Sequence, residues 1–133
     1  MKYLLMMSYA PSENCDVPMC EWDPADITEH LDFQRRLGEE LQEKGELVDA
    51  QGLTGPEEAR IVVADGQSAP VVSDGPFPET KEFLAGYWLV DVDSAERALE
   101  IAAKASAAPG PGGRPLKTAI EVREMMGVPA TDG

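Results

Sequence analysis

The order of the apolar patterns along this chain limits its fold more than any other feature of the sequence. Four segments have the residue content of β-strands, namely 2–9, 46–50, 84–92 and 119–125, and two segments with helical periodicity separate them. The resulting order is strand, helix, strand, strand, helix, strand. This order predicts an α+β protein with the split βαβ, ferredoxin-like βαββαβ fold.

A further pair of β-rich runs, 60–64 and 70–73, lies between the second and third strands of this pattern. The dipeptide Asp65-Gly66 stands in the connection between the two runs. Asp-Gly is typical of tight β-turns because both residues tolerate positive φ. We therefore expect an inserted β-hairpin in addition to the four strands.

The sequence Ser-Asp-Gly-Pro-Phe-Pro-Glu-Thr-Lys-Glu occupies residues 73–82, directly after the expected hairpin. Its prolines fix φ at their own positions and its glycine permits unusual φ values, so the run predicts a stiff turn. The carboxylate of Asp74 can accept the Phe77 backbone N–H in an Asx-type turn. The turn leads into the longest β-type run, 84–92, which we expect to be a central strand.

The first helix has distinct start and stop signals in the sequence. Asp23 is expected at the N-cap with Pro24 at the first helical position, and Gly45 is expected to end the helix. By helical periodicity, the stripe that faces the sheet should consist of Ile27, Leu31, Gln34, Leu37, Gly38 and Leu41. His30 falls within this stripe.

The second helix is predicted to begin after Asp93-Ser94-Ala95-Glu96, which resembles a capping box, and to end before Ala108-Pro109. Its packing face should consist of Ala98, Leu99, Ile101, Ala102 and Ala105.

Two helices can cover only one face of the expected sheet. Tyr3, Leu5 and Met7 are expected to leave apolar side chains on the other face. In the longest strand, either Tyr87 and Leu89 or Trp88 and Val90 are expected to do the same. An uncovered apolar face predicts self-association, so we expect a homodimer packed sheet to sheet or edge to edge, with a higher oligomer also open.

The length of 133 residues fits one domain with a single hydrophobic core. We expect this domain to span residues 1–126. Residues 127–133 are expected to form a flexible C-terminal tail.

The charge balance of the chain argues against two classes of partner. The formal net charge is -14 at pH 7, and neither Arg35-Arg36 nor residues 114–117 resemble a basic stripe. Such an acidic chain repels phosphate backbones and anionic lipids, so neither nucleic acid nor a membrane is expected as a partner.

The cysteines and the N-terminal segment indicate a cytoplasmic protein without a metal site. The apolar run near the N-terminus is interrupted after five residues, which is too short for a secretory signal. Cys15 and Cys20 are expected to be free thiols in a reducing compartment. A zinc site would need more ligands than these thiols and His30 supply, and no phosphate-binding loop precedes a helix, so no metal or cofactor is expected.

Four stretches resemble the YCII-related family, specifically its DGPF type: Met1-Lys2-Tyr3-Leu4-Leu5, Gly45-Glu46-Leu47-Val48, residues 74–82, and Glu121-Val122-Arg123. The resemblance implies a dimeric α+β barrel or ferredoxin-like fold. The family is mostly uncharacterised, and a few relatives are linked to small-molecule chemistry such as dehydrochlorination. In some YCII-like relatives, a His near the start of the first helix is proposed to pair with an Asp in an active site. His30-Leu31-Asp32-Phe33 matches that local pattern.

Two interpretations of His30 and Asp74 follow. In the first, the chain binds a small organic molecule and catalyses metal-free acid/base elimination or isomerisation, with His30 as proton carrier and Asp74 as the orienting or second acid/base group. In the second, the chain is a non-catalytic dimeric binding or regulatory module, with His30 packed in the core and Asp74 serving as a turn cap. An accessible cleft with a carboxylate near His30 favours the enzyme, and burial of His30 with a backbone partner favours the binding module.

Overall fold

The structure is a computed structural model and describes residues 1–8, 19–75 and 84–127. Its elements are β1 (Lys2–Ser8), α1 (Pro24–Glu43), β2 (Leu47–Gly52), β3 (Arg60–Val63), β4 (Val71–Asp74), β5 (Leu84–Asp91), α2 (Ala95–Ser106) and β6 (Ile120–Glu124). Three predicted segments lie wholly or mostly outside the described residues. They are the stiff turn of residues 73–82, which we call the DGPF turn, the loop that contains Cys15, and the expected tail apart from Gly127.

Four strands form one antiparallel sheet in the order β2-β5-β1-β6. β5 is an inner strand of this sheet, as the sequence predicted. The α+β composition and this strand order are compatible with a ferredoxin-like fold. β3 and β4 pair with each other in a separate two-stranded sheet, which we call the ribbon (residues 60–74).

The ends of α1 agree with the signals read from the sequence. Pro24 is the first helical residue and Asp23 is the N-cap, although the Asp23 side chain makes no capping hydrogen bond. At the other end, Gly45 has φ of 70° and its N–H donates to Gln42 O, while the Glu46 N–H donates to Leu41 O. These two bonds form a Schellman motif, which ends the helix and turns the chain into β2.

The hydrophobic core lies between the two helices and one face of the sheet. Its buried members are Tyr3, Leu5, Leu37, Leu41, Trp88, Val90, Val92, Ala98, Ile101, Ala102 and Ala105. The prediction that Tyr3, Leu5 and Met7 belong to the uncovered face is therefore wrong, since Met7 also packs against this core. Tyr3 lies opposite Val90 and Leu5 lies opposite Trp88, so the strand register places all four on the helix side.

The open face of the sheet carries a different set of residues. It consists of the half-buried side chains of Leu4, Met6, Tyr87 and Leu89 in the two inner strands, with polar residues of β2 and β6 beside them. We refer to these four residues as the open-face cluster.

Two leucines predicted to face the sheet are exposed instead. Leu31 of α1 and Leu99 of α2 both point away from the core. On α1 the buried positions are His30, Leu37 and Leu41, which recur at helical spacing. Leu31 follows His30 directly, so its side chain is turned by about 100° around the helix axis from these positions. On each helix, the face that contacts the sheet is therefore narrower than the apolar stripe predicted from the sequence.

Candidate functional site

His30 lies in the second turn of α1 and is 8% exposed. Its Nδ1 is 2.9 Å from Pro109 O, and its ring meets Trp22 edge to face with a centroid distance of 5.5 Å. A carbonyl oxygen can only accept, so Nδ1 carries the proton and donates it. In the neutral imidazole, Nε2 is then the unprotonated nitrogen.

The partner of His30 belongs to a tight turn between α2 and β6. Within this turn the Gly110 N–H donates to Arg114 O at 2.7 Å. A second contact from α1 reaches the same turn, since the Gly112 N–H donates to Asp26 Oδ2 at 3.2 Å. Two side chains of α1 therefore hold this turn in place, and His30 has a structural role through its bond to Pro109.

Asp74 is the last residue of β4 and is exposed. It lies opposite Arg60 in the ribbon, and the next residue continues the contact because the Gly75 N–H donates to Ala59 O at 2.7 Å. In the described part of the chain no hydrogen bond joins Asp74 to His30. The predicted Asx-type bond to Phe77 concerns a residue outside that part.

Trp88 contains a buried polar group that the sequence did not single out. The residue is 5% exposed, and its indole Nε1 has no hydrogen-bond partner among the described residues. The ring lies against Gly38 of α1, where a Cβ would be 3.7 Å from Trp88 Cζ3. The sequence indicates a core aromatic here, but whether an acceptor lies near its N–H depends on distant segments.

A second polar group that the sequence missed lies on the open face. The Tyr87 hydroxyl donates to Asp49 Oδ2 at 2.9 Å, and Gln51 Nε2 donates to Asp49 Oδ1 at 3.2 Å. The bond from Tyr87 is the main cause that lowers the pKa of Asp49, and the same bond raises the pKa of Tyr87. Asp49 therefore remains a carboxylate at neutral pH and orients Tyr87 within the open-face cluster.

An open recess of about 450 Å³ lies where α1 ends and α2 begins. Arg97 binds Glu46 in a bidentate pair there, with Nε–Oε2 and Nη2–Oε1 distances of 2.9 Å, and also bonds Glu100 at 3.1 Å. These bonds lower the pKa of Glu46 and raise that of Arg97. Lys44, the other cation of the recess, pairs with Glu40. Both cations are thus already paired, and the recess is an ion-pair cluster rather than a ligand site.

Two properties of the described residues bear on possible partners. No group of three or more His, Cys, Asp or Glu side chains in residues 1–8, 19–75 and 84–127 is arranged to hold a metal ion. Within the same ranges, neither helix combines the length and the apolar content that a membrane crossing requires.

Comparison with known families gives one match. The family model of the YCII-related domain matches residues 1–110 of this sequence. The chain belongs to the YCII-related family. No curated protein matches the sequence. The YCII-related region contains His30, Asp74 and Trp88 as well as the Asp49–Tyr87 pair, so every candidate group described above lies within it.

The Arg97–Glu46 pair of this YCII-related chain yields a prediction about acid stability. The pKa of Glu46 is below its ordinary value in the folded state, so its contribution is present above the unfolded pKa and is lost as the pH falls through the folded pKa. Glu46→Gln is expected to lower the free energy of unfolding by about 1 to 2 kcal/mol at pH 7. The difference from wild type should shrink as the pH falls below the unfolded pKa of Glu46 and towards its lower folded pKa, because the unfolded state then binds the proton more tightly than the folded state does.

Urea unfolding at pH 7, 5 and 3 measures this difference. Glu100→Gln is the matched control, because Glu100 also bonds Arg97 but has a 65% exposed side chain. It should change stability by less than about 0.5 kcal/mol at any pH. If Glu46→Gln lowered the free energy of unfolding by the same amount from pH 7 to pH 3, that result would contradict the ion-pair explanation.

Proposed function

We propose that this YCII-related protein binds a small organic molecule between α1 and β5, beside the indole N–H of Trp88. The observation that supports this proposal is the buried N–H of Trp88, which lacks an acceptor among the described residues. A buried donor without a partner costs about 1 to 3 kcal/mol, and an acceptor supplied from outside the chain recovers this cost.

The surroundings of Trp88 indicate the class of ligand. Leu5 lies opposite it in the sheet, and the partly buried Met7 and Phe33 pack against the same core. Such a site suits a compact, mostly apolar molecule that carries a carbonyl, ether or carboxylate oxygen, because one polar contact fixes orientation while apolar contacts supply affinity.

The second part of the proposal is a homodimer of the dimeric α+β barrel type, with the β3–β4 hairpin as an insertion. Support comes from the open-face cluster, which neither helix covers. Tyr87 of this cluster donates its hydroxyl hydrogen bond to Asp49, so the cluster can enter an interface without leaving this carboxylate unpaired.

Of the two interpretations from the sequence, the geometry favours the non-catalytic binding module, because His30 is buried and bonds a backbone carbonyl. One observation nevertheless favours acid/base catalysis as a second candidate. The bond from Nδ1 to Pro109 O leaves Nε2 as the proton acceptor, which is the tautomer a general base needs. In that case His30 is the proton carrier and Asp74 is the orienting or second acid/base group.

Trp88→Phe tests the binding proposal because it removes the N–H and keeps an aromatic ring. We expect fragments with an oxygen acceptor, such as cyclic ketones and aromatic carboxylates, to shift one of the two indole N–H signals in ¹H–¹⁵N NMR spectra. That signal should be absent in Trp88→Phe, and the dissociation constant of the fragment should rise about tenfold, as expected for the loss of one buried hydrogen bond.

Trp22→Phe is the control, since the Trp22 ring lies against His30. This variant should keep the fragment affinity of the wild type. Unchanged fragment affinity in Trp88→Phe would contradict the proposal, as would a fragment panel that shifts neither indole signal.

A further inference from the structure

The ribbon presents apolar side chains on both of its faces. Val62 lies opposite Val72, and Val63 lies opposite Val71. Because successive side chains point to opposite faces of a strand, the two valine pairs lie on opposite sides of the ribbon. All four valines are between 57% and 65% exposed, so the described chain covers neither side.

A two-stranded ribbon of this kind requires further packing. On its own it is marginally stable in water, because too little apolar surface is buried between two strands. Exposed apolar surface on an ordered β-structure is typical of a site that contacts another protein.

The charge distribution indicates which protein the ribbon contacts. Asp65 is the only charged residue between positions 61 and 73 of the sequence. Its carboxylate accepts bonds from the Gln67 N–H, the Ser68 N–H and the Ser68 hydroxyl. The net charge of -14 makes two copies of the chain repel each other over most of their surfaces. The part of the ribbon between its end residues Arg60 and Asp74 carries one carboxylate, so a second copy can dock there with little repulsion between carboxylates.

The area that a dimer requires also favours a role for the ribbon. A stable dimer buries about 800 Å² on each partner. The four side chains of the open-face cluster are already half-buried within the chain, so they can supply only part of that area. The ribbon valines supply additional apolar area on the same chain.

We propose that the ribbon is a docking arm that packs against a second copy of this chain and buries its two valine pairs in the contact. This inference rests on the proposed homodimer and names the surface that stabilises it. In a two-fold symmetric dimer each copy contributes its arm, so the contact is made twice. The bonds to Asp65 hold the tip of the arm in shape before association, which reduces the entropy lost on docking.

Sedimentation velocity over a concentration series tests the docking arm. Val62→Lys and Val71→Lys each place a charge on a different face of the ribbon. Either variant should raise the dissociation constant of the dimer at least about tenfold, because a lysine cannot be buried without a partner. Val62→Thr keeps the branched shape and strand propensity, and should raise the constant by a smaller factor.

Leu99→Lys is the matched control, since Leu99 is 57% exposed on α2, as is Val72 in the ribbon. It changes the net charge by the same amount and should leave the dissociation constant unchanged.

Three outcomes overturn parts of the proposal. A wild-type dimer whose dissociation constant is unchanged in Val62→Lys and Val71→Lys overturns the docking arm and leaves the sheet-to-sheet dimer standing. If a lysine variant unfolds, an unchanged constant in Val62→Thr overturns the arm in the same way. A monomeric wild type overturns both the arm and the proposed dimer, while the Trp88 experiment reports on ligand binding independently of either.

Discussion

Gly86→Ala is expected to lower the free energy of unfolding by about 2 to 3 kcal/mol. A Cβ at position 86 would stand 2.7 Å from Gln51 O and 3.2 Å from Gly52 Cα. Both atoms belong to the backbone of β2, so neither can rotate away as a side chain can. β2 would have to move away from β5, and the hydrogen bonds between the two strands would lengthen. Urea unfolding followed by circular dichroism measures the effect.

Gly52→Ala is the matched control for this experiment. Gly52 lies opposite Gly86 in the strand register, and apart from Gly52 itself and its two chain neighbours no residue has an atom within 4 Å of the position that its Cβ would take. The substitution should change stability by less than about 0.5 kcal/mol. If both alanines destabilised the protein equally, the cause would be a general property of glycine in these strands and the steric explanation would fail.

His30→Ala is expected to lower the free energy of unfolding by about 3 kcal/mol, which corresponds to a decrease of roughly 10 °C in Tm for a chain of this size. The substitution removes the bond to Pro109 O and the ring contact with Trp22. It leaves a cavity under α1 and a carbonyl without its donor. Differential scanning calorimetry measures the change.

His30→Asn separates the structural role of His30 from a catalytic one. The amide nitrogen of asparagine takes nearly the position of Nδ1, so it can still donate to Pro109 O, but it cannot carry a proton in catalysis. We expect His30→Asn to recover about 1 kcal/mol relative to His30→Ala. Equal destabilisation by the two variants would show that the bond to Pro109 is not what His30 contributes to stability.

Local signals in the sequence were sufficient to predict several elements of the fold. Pro24 at the start of α1 and Gly45 after its end each act within one turn of the helix. Both positions were predicted correctly. Ser94 was part of the predicted start of α2, and its side chain accepts the Arg97 N–H at 3.2 Å. Such signals need no knowledge of the rest of the chain.

The face on which each strand residue lies could not be predicted, because it depends on pairing between distant segments. Tyr3 and Leu5 are flanked by apolar residues on both sides in the sequence, so β1 alone does not indicate which alternate set meets the helices. The register with β5 decides this.

The polar groups of the candidate site depend on distant pairing in the same way. The Asp49–Tyr87 bond joins residues 38 positions apart in the sequence. The lack of an acceptor for Trp88 Nε1 among the described residues is likewise a property of the assembled core.

The pairing of β6 with β1 has a consequence for the extent of the folding unit. The two strands pair from Tyr3 opposite Glu124 to Met7 opposite Ile120, whereas the YCII-related match ends at residue 110. A fragment ending there would place β1 at the margin of the sheet, with one row of backbone groups unpaired and open to other chains. The segment that must be synthesised before the sheet is complete is thus longer than the family region. By covering the edge of β1, β6 is expected to protect that strand from pairing with other chains.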